Sequence, residues 1–464
     1  MKNKRSPWAW IPTLYFLEGL PYVAVVVISV IMYKRMGVSN AEMSFFTSLI
    51  SFPWVIKPLW SPFVDILKTK RWWTLSMQLL VVAGLALIAL FLPLKFFWTA
   101  TLIVFAFMAF ASATHDIAAD GFYMLALNKH DQSMFVGIRS TFYRAATIAG
   151  QGVLVILAGV LETHSGAVVK FWASMPWASW VNTSKGIAAE HGAGGGEVAA
   201  AWSTTFFILA AVFALVFVYH HWALPRPQSD KEQGASLKSA GDVLREFMTT
   251  FYTFFQKKHI LSALLFMLLF RFPEAQLVKL INPFLLDPLE KGGLALSTEE
   301  IGLVYGIVGV AGLTLGGIIG GFCAAKGGLK KWLWPMSWAI SLTCATFVFL
   351  SFTQTQNLIL INLCVFIEQF GYGFGFTAYM LYLIYFSEGE HKTAHYAICT
   401  GFMALGMTIP GMFAGWLQEQ MGYKLFFIWV MVCCVATIAV SAFVKIDEET
   451  VEEGLSPEKK TNNE

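Results

Sequence analysis

His115, Asp116 and Asp120 lie in the run ATHDIAADGFYML that begins at position 113, inside a segment, 97–127, that is otherwise apolar and long enough to span a bilayer. On a helix the two aspartates stand four residues apart and share a face, with His115 about 100° around the axis from Asp116. A charged side chain at the bilayer centre costs about 2.5–3.5 kcal/mol, so such groups turn towards a water-filled cavity or the interior of a helix bundle. Two roles suit them there: a proton or substrate site, or a buried hydrogen-bonded pair that pins helices together.

Other charges fall in apolar segments: Glu18, Lys57, Arg139, Arg144, Arg271, Glu274, Lys279 and Glu368. Arg139 and Arg144 differ by about 140° around a helix, so they do not face one wall together. Arg144 is the deeper and the better candidate for the cavity, whereas Arg139, near the cytoplasmic end, can snorkel or gate. Arg271 and Glu274 share a face beside Pro273, which interrupts the helix ladder and frees backbone groups. An intrahelical ion pair explains them as readily as a binding site does. Gly371, Gly373 and Gly375 permit either close helix approach or backbone lining a cavity.

The elements that must position these groups follow from composition. Of 464 residues 57% are hydrophobic and only 13% charged, which predicts an all-α integral membrane protein in contact with the lipid bilayer. The formal net charge of +3, spread over short loops, gives no reason to expect nucleic acid. Six cysteines in apolar segments without metal-type spacing read as core thiols, and no nucleophile–base set or metal motif suggests an enzyme. Lys2, Lys4 and Arg5 run into a full span without a small-residue cleavage site, so no removable signal peptide is expected.

Twelve transmembrane helices are predicted, at about 10–32, 43–66, 74–93, 97–127, 134–161, 201–222, 259–286, 301–326, 332–352, 357–386, 394–416 and 425–444. Basic residues concentrate in the loops on the side of the termini, which predicts that both termini are cytoplasmic. The chain repeats after about 260 residues: Ser39 with Glu42 and Ser297 with Glu300 are two capping-box starts, each followed by a basic loop one span later. The expected organisation is a six-helix half at 1–224, a cytoplasmic linker at 225–258, a second six-helix half at 259–444 and a disordered cytoplasmic tail at 445–464. In the linker, Val243, Leu244, Phe247, Phe251 and Phe254 recur at helical spacing over 240–255, as in a membrane-skimming surface helix. The loop 162–200 carries Phe171, Trp172, Trp177, Trp180 and a glycine-rich stretch, either an interfacial re-entry or a lid over the outer mouth.

These patterns resemble the major facilitator superfamily and, within it, the AmpG-type muropeptide permeases, a branch related to acetyl-CoA carriers. The resemblance is carried by the Asp65/Lys70/Arg71 loop, Gly19-Leu20-Pro21, the run KPLWSP from Lys57, Asp116 with Asp120, Tyr143-Arg144, Arg271 with Glu274, Glu368 with its glycines, and the run PGMFAGWLQEQMG from Pro410. It implies the MFS fold of two six-helix pseudo-repeats and a monomer of the bacterial inner membrane. It also implies secondary active import of N-acetylglucosaminyl-anhydromuramyl sugars, with or without peptide, by alternating access and with protons. The proton gradient is then the only cofactor-like requirement.

With such cargo, Asp116, Asp120, Glu274 and Glu18 are the expected proton-coupling acids. Arg144, Arg271 and Lys279 would hold carboxylates, and His115, Tyr123, Glu368 and Tyr379 would bind other parts of the substrate. Phe122, Tyr123, Tyr379 and Tyr382 are candidate sugar-stacking rings, although rings at helical spacing more often pack than bind. Asp65, Arg71 and Arg139 are the expected gating residues. The alternatives are a carrier of another polar organic anion, acetyl-CoA-like or siderophore-like, or a membrane sensor of wall fragments; a sensor needs a soluble output domain longer than the linker or tail provides.

Overall fold

The computed structural model describes residues 5–164, 166, 168, 170, 195–227, 230, 240–389 and 392–446. The most irregular stretch, 171–194, and the tail from 447 lie outside them, so the expectations for that aromatic loop and for tail disorder fall outside the described residues.

The first span, Pro7–Arg35, is an apolar helix widened by a π-helical turn at Ala24–Ile28. Pro21 lies inside the helix just before that turn, where its missing N–H and its ring disturb the ladder. The second span is not the single helix expected. It is Asn40–Leu49 followed by Phe52–Ile66, and Pro53, in the first turn of the second piece, cannot donate to the preceding helix. Lys70–Phe91 and Phe97–Ala126 form the third and fourth spans. The fifth runs from Lys129–Ile148 through a π-helical turn, Ala149–Leu154, into Val155–Thr163, so it starts earlier than predicted because Asn128 caps it by accepting from the Asp131 N–H. Gly195–Ala223 is the sixth.

The linker helix Ala240–Phe255 matches the predicted 240–255. Phe254 is buried against Phe386, His395 and Phe402, while Met248 and Tyr252 are exposed. The helix therefore docks on the protein as well as presenting an apolar outer face. Lys257, just past its end, donates to the carbonyls of Phe386 (2.6 Å) and Glu388 (2.7 Å), capping the tenth span.

The seventh span is Ile260–Leu269 and Phe272–Leu286, with the break at Arg271 just before Pro273. The run Thr298–Thr353 has 56 residues and His395–Phe443 has 49, each too long for one crossing of a ~30 Å hydrocarbon layer. Each turns back at a glycine in a conformation open only to glycine, Gly328 (φ 71°) and Gly422 (φ 72°), which divides eighth from ninth and eleventh from twelfth spans. Leu358–Ser387 is the tenth. Among the described residues nine helices are long and apolar enough to cross a membrane, and the two returns together with the broken second span make the fold consistent with twelve crossings.

The buried core is divided unevenly. At the end holding Tyr33, Met36, Leu286 and Tyr423, one continuous apolar cluster draws on spans from both sets of six. At the other end there are two separate clusters, one around Trp10, Tyr15 and Phe122, the other around Phe266, Tyr379 and Tyr382. The bundle is joined at one end and split at the other.

Candidate functional site

The fourth span sets Asp116 and Asp120 one turn apart on one face, as the spacing predicts, and they are tied to different helices, not to each other. Asp116 Oδ2 accepts from Trp54 Nε1 (3.3 Å) and lies 3.8 Å from Lys57 Nζ, both on the second span. Asp120 Oδ1 accepts from Arg139 Nη2 (2.5 Å) and from the Tyr15 hydroxyl (3.2 Å), and the Arg139 guanidinium covers the rings of Tyr15 (4.4 Å) and Tyr123 (5.2 Å). Glu18 is buried on the first span, and its Oε2 has no hydrogen-bond partner among the described residues. Such an oxygen is costly as a bare charge and far cheaper as part of a neutral acid.

His115 turns away from this group. Its Nε2 lies 3.1 Å from Gln78 Nε2, Gln78 reaches His220 Nδ1 (3.0 Å), and His220 Nε2 meets Thr13 Oγ1 (2.9 Å), a buried polar chain across the first, third, fourth and sixth spans. Gln78 and His220 escaped the sequence reading, although a polar side chain inside an apolar span was signal enough to find them.

On the seventh span Arg271 grips Glu274 in a two-pronged ion pair, Nε to Oε2 at 2.8 Å and Nη2 to Oε1 at 2.7 Å. Nη2 also donates to the Tyr372 hydroxyl (2.8 Å), and the guanidinium stacks on Phe376 (4.7 Å). Arg271 is thus paired with an acid. Two other cations are not. Lys279 is buried and donates only to Thr47 Oγ1 of the second span (3.1 Å), with no acid partner among the described residues. Arg144 is exposed, has no ion pair or hydrogen bond among the described residues, and points towards the eighth span, its Nη2 3.9 Å from where a Gly317 Cβ would stand.

Several expected lining residues are buried and hydrogen-bonded within the bundle. Glu368 is buried and accepts from Gln369 Nε2 (2.9 Å). Tyr379 donates to the Met267 carbonyl (2.6 Å) among Phe266 and Phe270, and Tyr123 donates to the Gln132 carbonyl. Phe122 and Tyr382 are equally buried, so these four rings pack, as rings at helical spacing usually do. Of the expected gating set, Arg71 donates to the His221 carbonyl (2.6 Å), and the Lys70 and Arg71 N–H groups donate to the Asp230 carboxylate (2.6 and 3.2 Å), an acid on the linker at a helix start. The side chain of Asp65 lies outside the described residues.

At the joined end two carboxylates act as nodes. Asp287 takes Lys34 Nζ (2.7 Å) and the Tyr423 hydroxyl (2.6 Å). Glu162 takes Arg35 Nη2 (2.8 Å), Trp202 Nε1 (3.0 Å) and Thr298 Oγ1 (2.8 Å). Asn40 donates to Gln418 Oε1 (2.7 Å) and the Tyr423 hydroxyl (3.0 Å). Lys34 to Asp287, Thr298 to Glu162 and Asn40 to Gln418 and Tyr423 run between the first six spans and the last six, while the other bonds brace each node within its own half. The sequence reading missed them because the partners sit on different spans, from 40 to 383 positions apart.

A bundle joined at one end, split at the other and carrying ionisable groups at mid-depth is an arrangement that comparison with known proteins identifies. The model of the Major Facilitator Superfamily matches residues 13–394. The chain is 23% identical over 441 residues to "Putative transporter AmpG 4" of Rickettsia felis, covering 93% of this chain and 94% of that protein. It is 22% identical over 430 residues to "Anhydromuropeptide permease" of Escherichia coli K12, covering 91% and 76%. Among solved structures, a bacterial homologue of the human lysosomal transporter Spinster, inward-facing and unoccupied, aligns with a TM-score of 0.67 at 16% identity over 98% of both chains. The D-xylose-proton symporter aligns at 0.64 and 14% identity over 95% of this chain and 98% of that one. The family match spans most of the chain, and the fold agrees with it throughout: this multi-pass membrane protein belongs to the Major Facilitator Superfamily and is similar to its AmpG-type permeases.

Proposed function

We propose that the protein is a proton-coupled importer of anhydromuropeptides or related amino sugars in a bacterial inner membrane, working by alternating access between two six-helix halves. The observation that carries this reading is the pair of cations without acid partners among the described residues, Arg144 on the fifth span and Lys279 on the seventh. A muropeptide carries carboxylates, and a charge-assisted contact from each half would hold one between them. Arg271 has a different part: locked to Glu274, it shapes the wall and is not a free clamp. Glu18, Asp116 and Asp120 supply acids on the first and fourth spans, and Glu18, whose Oε2 lacks a partner among the described residues, suits a carboxyl that takes and releases a proton. The similarity to AmpG-type proteins supports the choice of cargo.

The joined end carries Lys34, Arg35 and Asp287, at span ends that the charge distribution assigns to the outside, so the conformation reads as inward-facing. Counterflow in proteoliposomes tests the cargo without any driving force. Liposomes preloaded with unlabelled N-acetylglucosaminyl-anhydro-N-acetylmuramic acid should take up the labelled disaccharide by exchange, and an excess of coenzyme A thioester should not compete. Exchange of the thioester in place of the disaccharide would transfer the protein to the other organic-anion reading.

A further inference from the structure

The rings expected to meet a sugar are buried, but another pair is open. Tyr22 is 38% exposed on the first span, where Leu20, Pro21, Val23 and Ala24 around it are all buried. The part of the first span that holds Tyr22, Ile11–Val23, packs against the fourth and fifth spans, and the Trp54 ring beside Tyr22 bonds Asp116 next to Lys57, so the space Tyr22 meets is polar, not lipid. Trp54 of the second span meets it edge-on, with ring centroids 5.1 Å apart and planes at 86°. Two aromatic surfaces at right angles make a corner. Its polar rim is close by: the indole N–H of Trp54 donates to Asp116 Oδ2 (3.3 Å), and Lys57 Nζ lies 3.8 Å from the same oxygen.

This combination discriminates between ligand classes. An entirely apolar ligand would strip water from Asp116 and Lys57 and give nothing back. A bare carboxylate would meet the like charge of Asp116. A pyranose ring suits both parts, since its C–H face packs against an aromatic ring while its hydroxyl and acetamido groups donate to Asp116 and accept from Lys57. We propose that Tyr22 and Trp54, rimmed by Asp116 and Lys57, form a saccharide subsite that takes one neutral pyranose ring of the cargo, apart from Arg144, which takes the acidic part. This rests on the reading of the protein as a carrier of amino sugars and names the residues that recognise the sugar.

Binding of tritiated N-acetylglucosaminyl-anhydro-N-acetylmuramic acid to the purified full-length protein, by equilibrium dialysis, tests it with Tyr22→Ala, Trp54→Ala, Tyr22→Phe and Trp54→Phe, each matched to wild type for thermal melting. Loss of a stacking ring should weaken binding about tenfold in each alanine variant, and the phenylalanine variants should stay within about threefold of wild type. Unchanged affinity in folded alanine variants, or equal losses in the alanine and phenylalanine variants, overturns the subsite while leaving the transport reading intact. Absence of binding by the wild type overturns the transport reading itself, and the subsite with it.

Discussion

Arg144 and Arg271 look alike in the sequence, each an arginine inside an apolar span, and the structure separates them. Arg271 is buried and holds Glu274 through two hydrogen bonds, whereas Arg144 is exposed without a partner among the described residues. Arg144→Gln should therefore weaken uptake of an acidic muropeptide roughly ten- to a hundredfold, the loss of a charge-assisted contact of about 1.5–3 kcal/mol, and leave uptake of neutral N-acetylglucosamine little changed. Arg271→Gln should act on folding, because stranding the buried Glu274 carboxylate costs about 3–5 kcal/mol, and a lowered melting temperature in detergent checks it. Glu18→Gln keeps shape and removes only the exchangeable proton of an oxygen without a partner among the described residues. It should abolish concentrative uptake and spare counterflow; equal loss of both would make Glu18 a packing residue. That these positions are special was legible from the cost of charge in a bilayer. Which of them pair was not, since pairing depends on how each helix is rotated: Arg271 and Glu274 admitted two readings, and Lys34 with Asp287 admitted none.

At the scale of the element, the spans were legible wherever hydropathy and punctuation agree. The capping box at Ser297 forms in full, while Ser39 accepts from the Glu42 N–H but contacts the Glu42 side chain with its own hydroxyl. The break in the second span needed Pro53 to be weighed above hydropathy. For the glycines of the tenth span the sequence left two uses open, and the structure chooses close packing. A Cβ on Gly373 would sit 2.1 Å from the Leu313 carbonyl oxygen, and one on Gly316 2.1 Å from that of Phe370. The eighth and tenth spans meet backbone to backbone, and overpacking there has no flexible side chain to absorb it. Gly316→Val should sharply reduce the yield of folded protein in size-exclusion chromatography. Gly321→Val, with nothing within 4 Å of its Cβ, should behave as wild type.

For the whole molecule, the two-half plan was legible in the internal repeat, but the conformation was not, because it depends on contacts between distant spans. The core continuous at one end and divided at the other, with the Asp287 and Glu162 nodes at the continuous end, describes a carrier closed on one side. Alternating access requires that end to part. Gly415 packs so tightly that a Cβ would lie 1.8 Å from the Asn40 carbonyl oxygen. Gly415→Ala should wedge the second and eleventh spans apart and bias the protein towards the opposite state. Spin labels at Gly37 and Lys291 should then report a longer distance than in the parent, and an unchanged distance would remove the joined end from the gating cycle.

The central claim is that a proton gradient drives an amino-sugar cargo inward through this site. Its most direct test is uptake of labelled N-acetylglucosaminyl-anhydro-N-acetylmuramic acid into proteoliposomes with the outside made acid relative to the lumen. Accumulation above the external concentration, collapsing to equilibration when a protonophore is added, is the predicted result. Uptake that reaches only equilibrium with the gradient intact, or that ignores the protonophore, would contradict it.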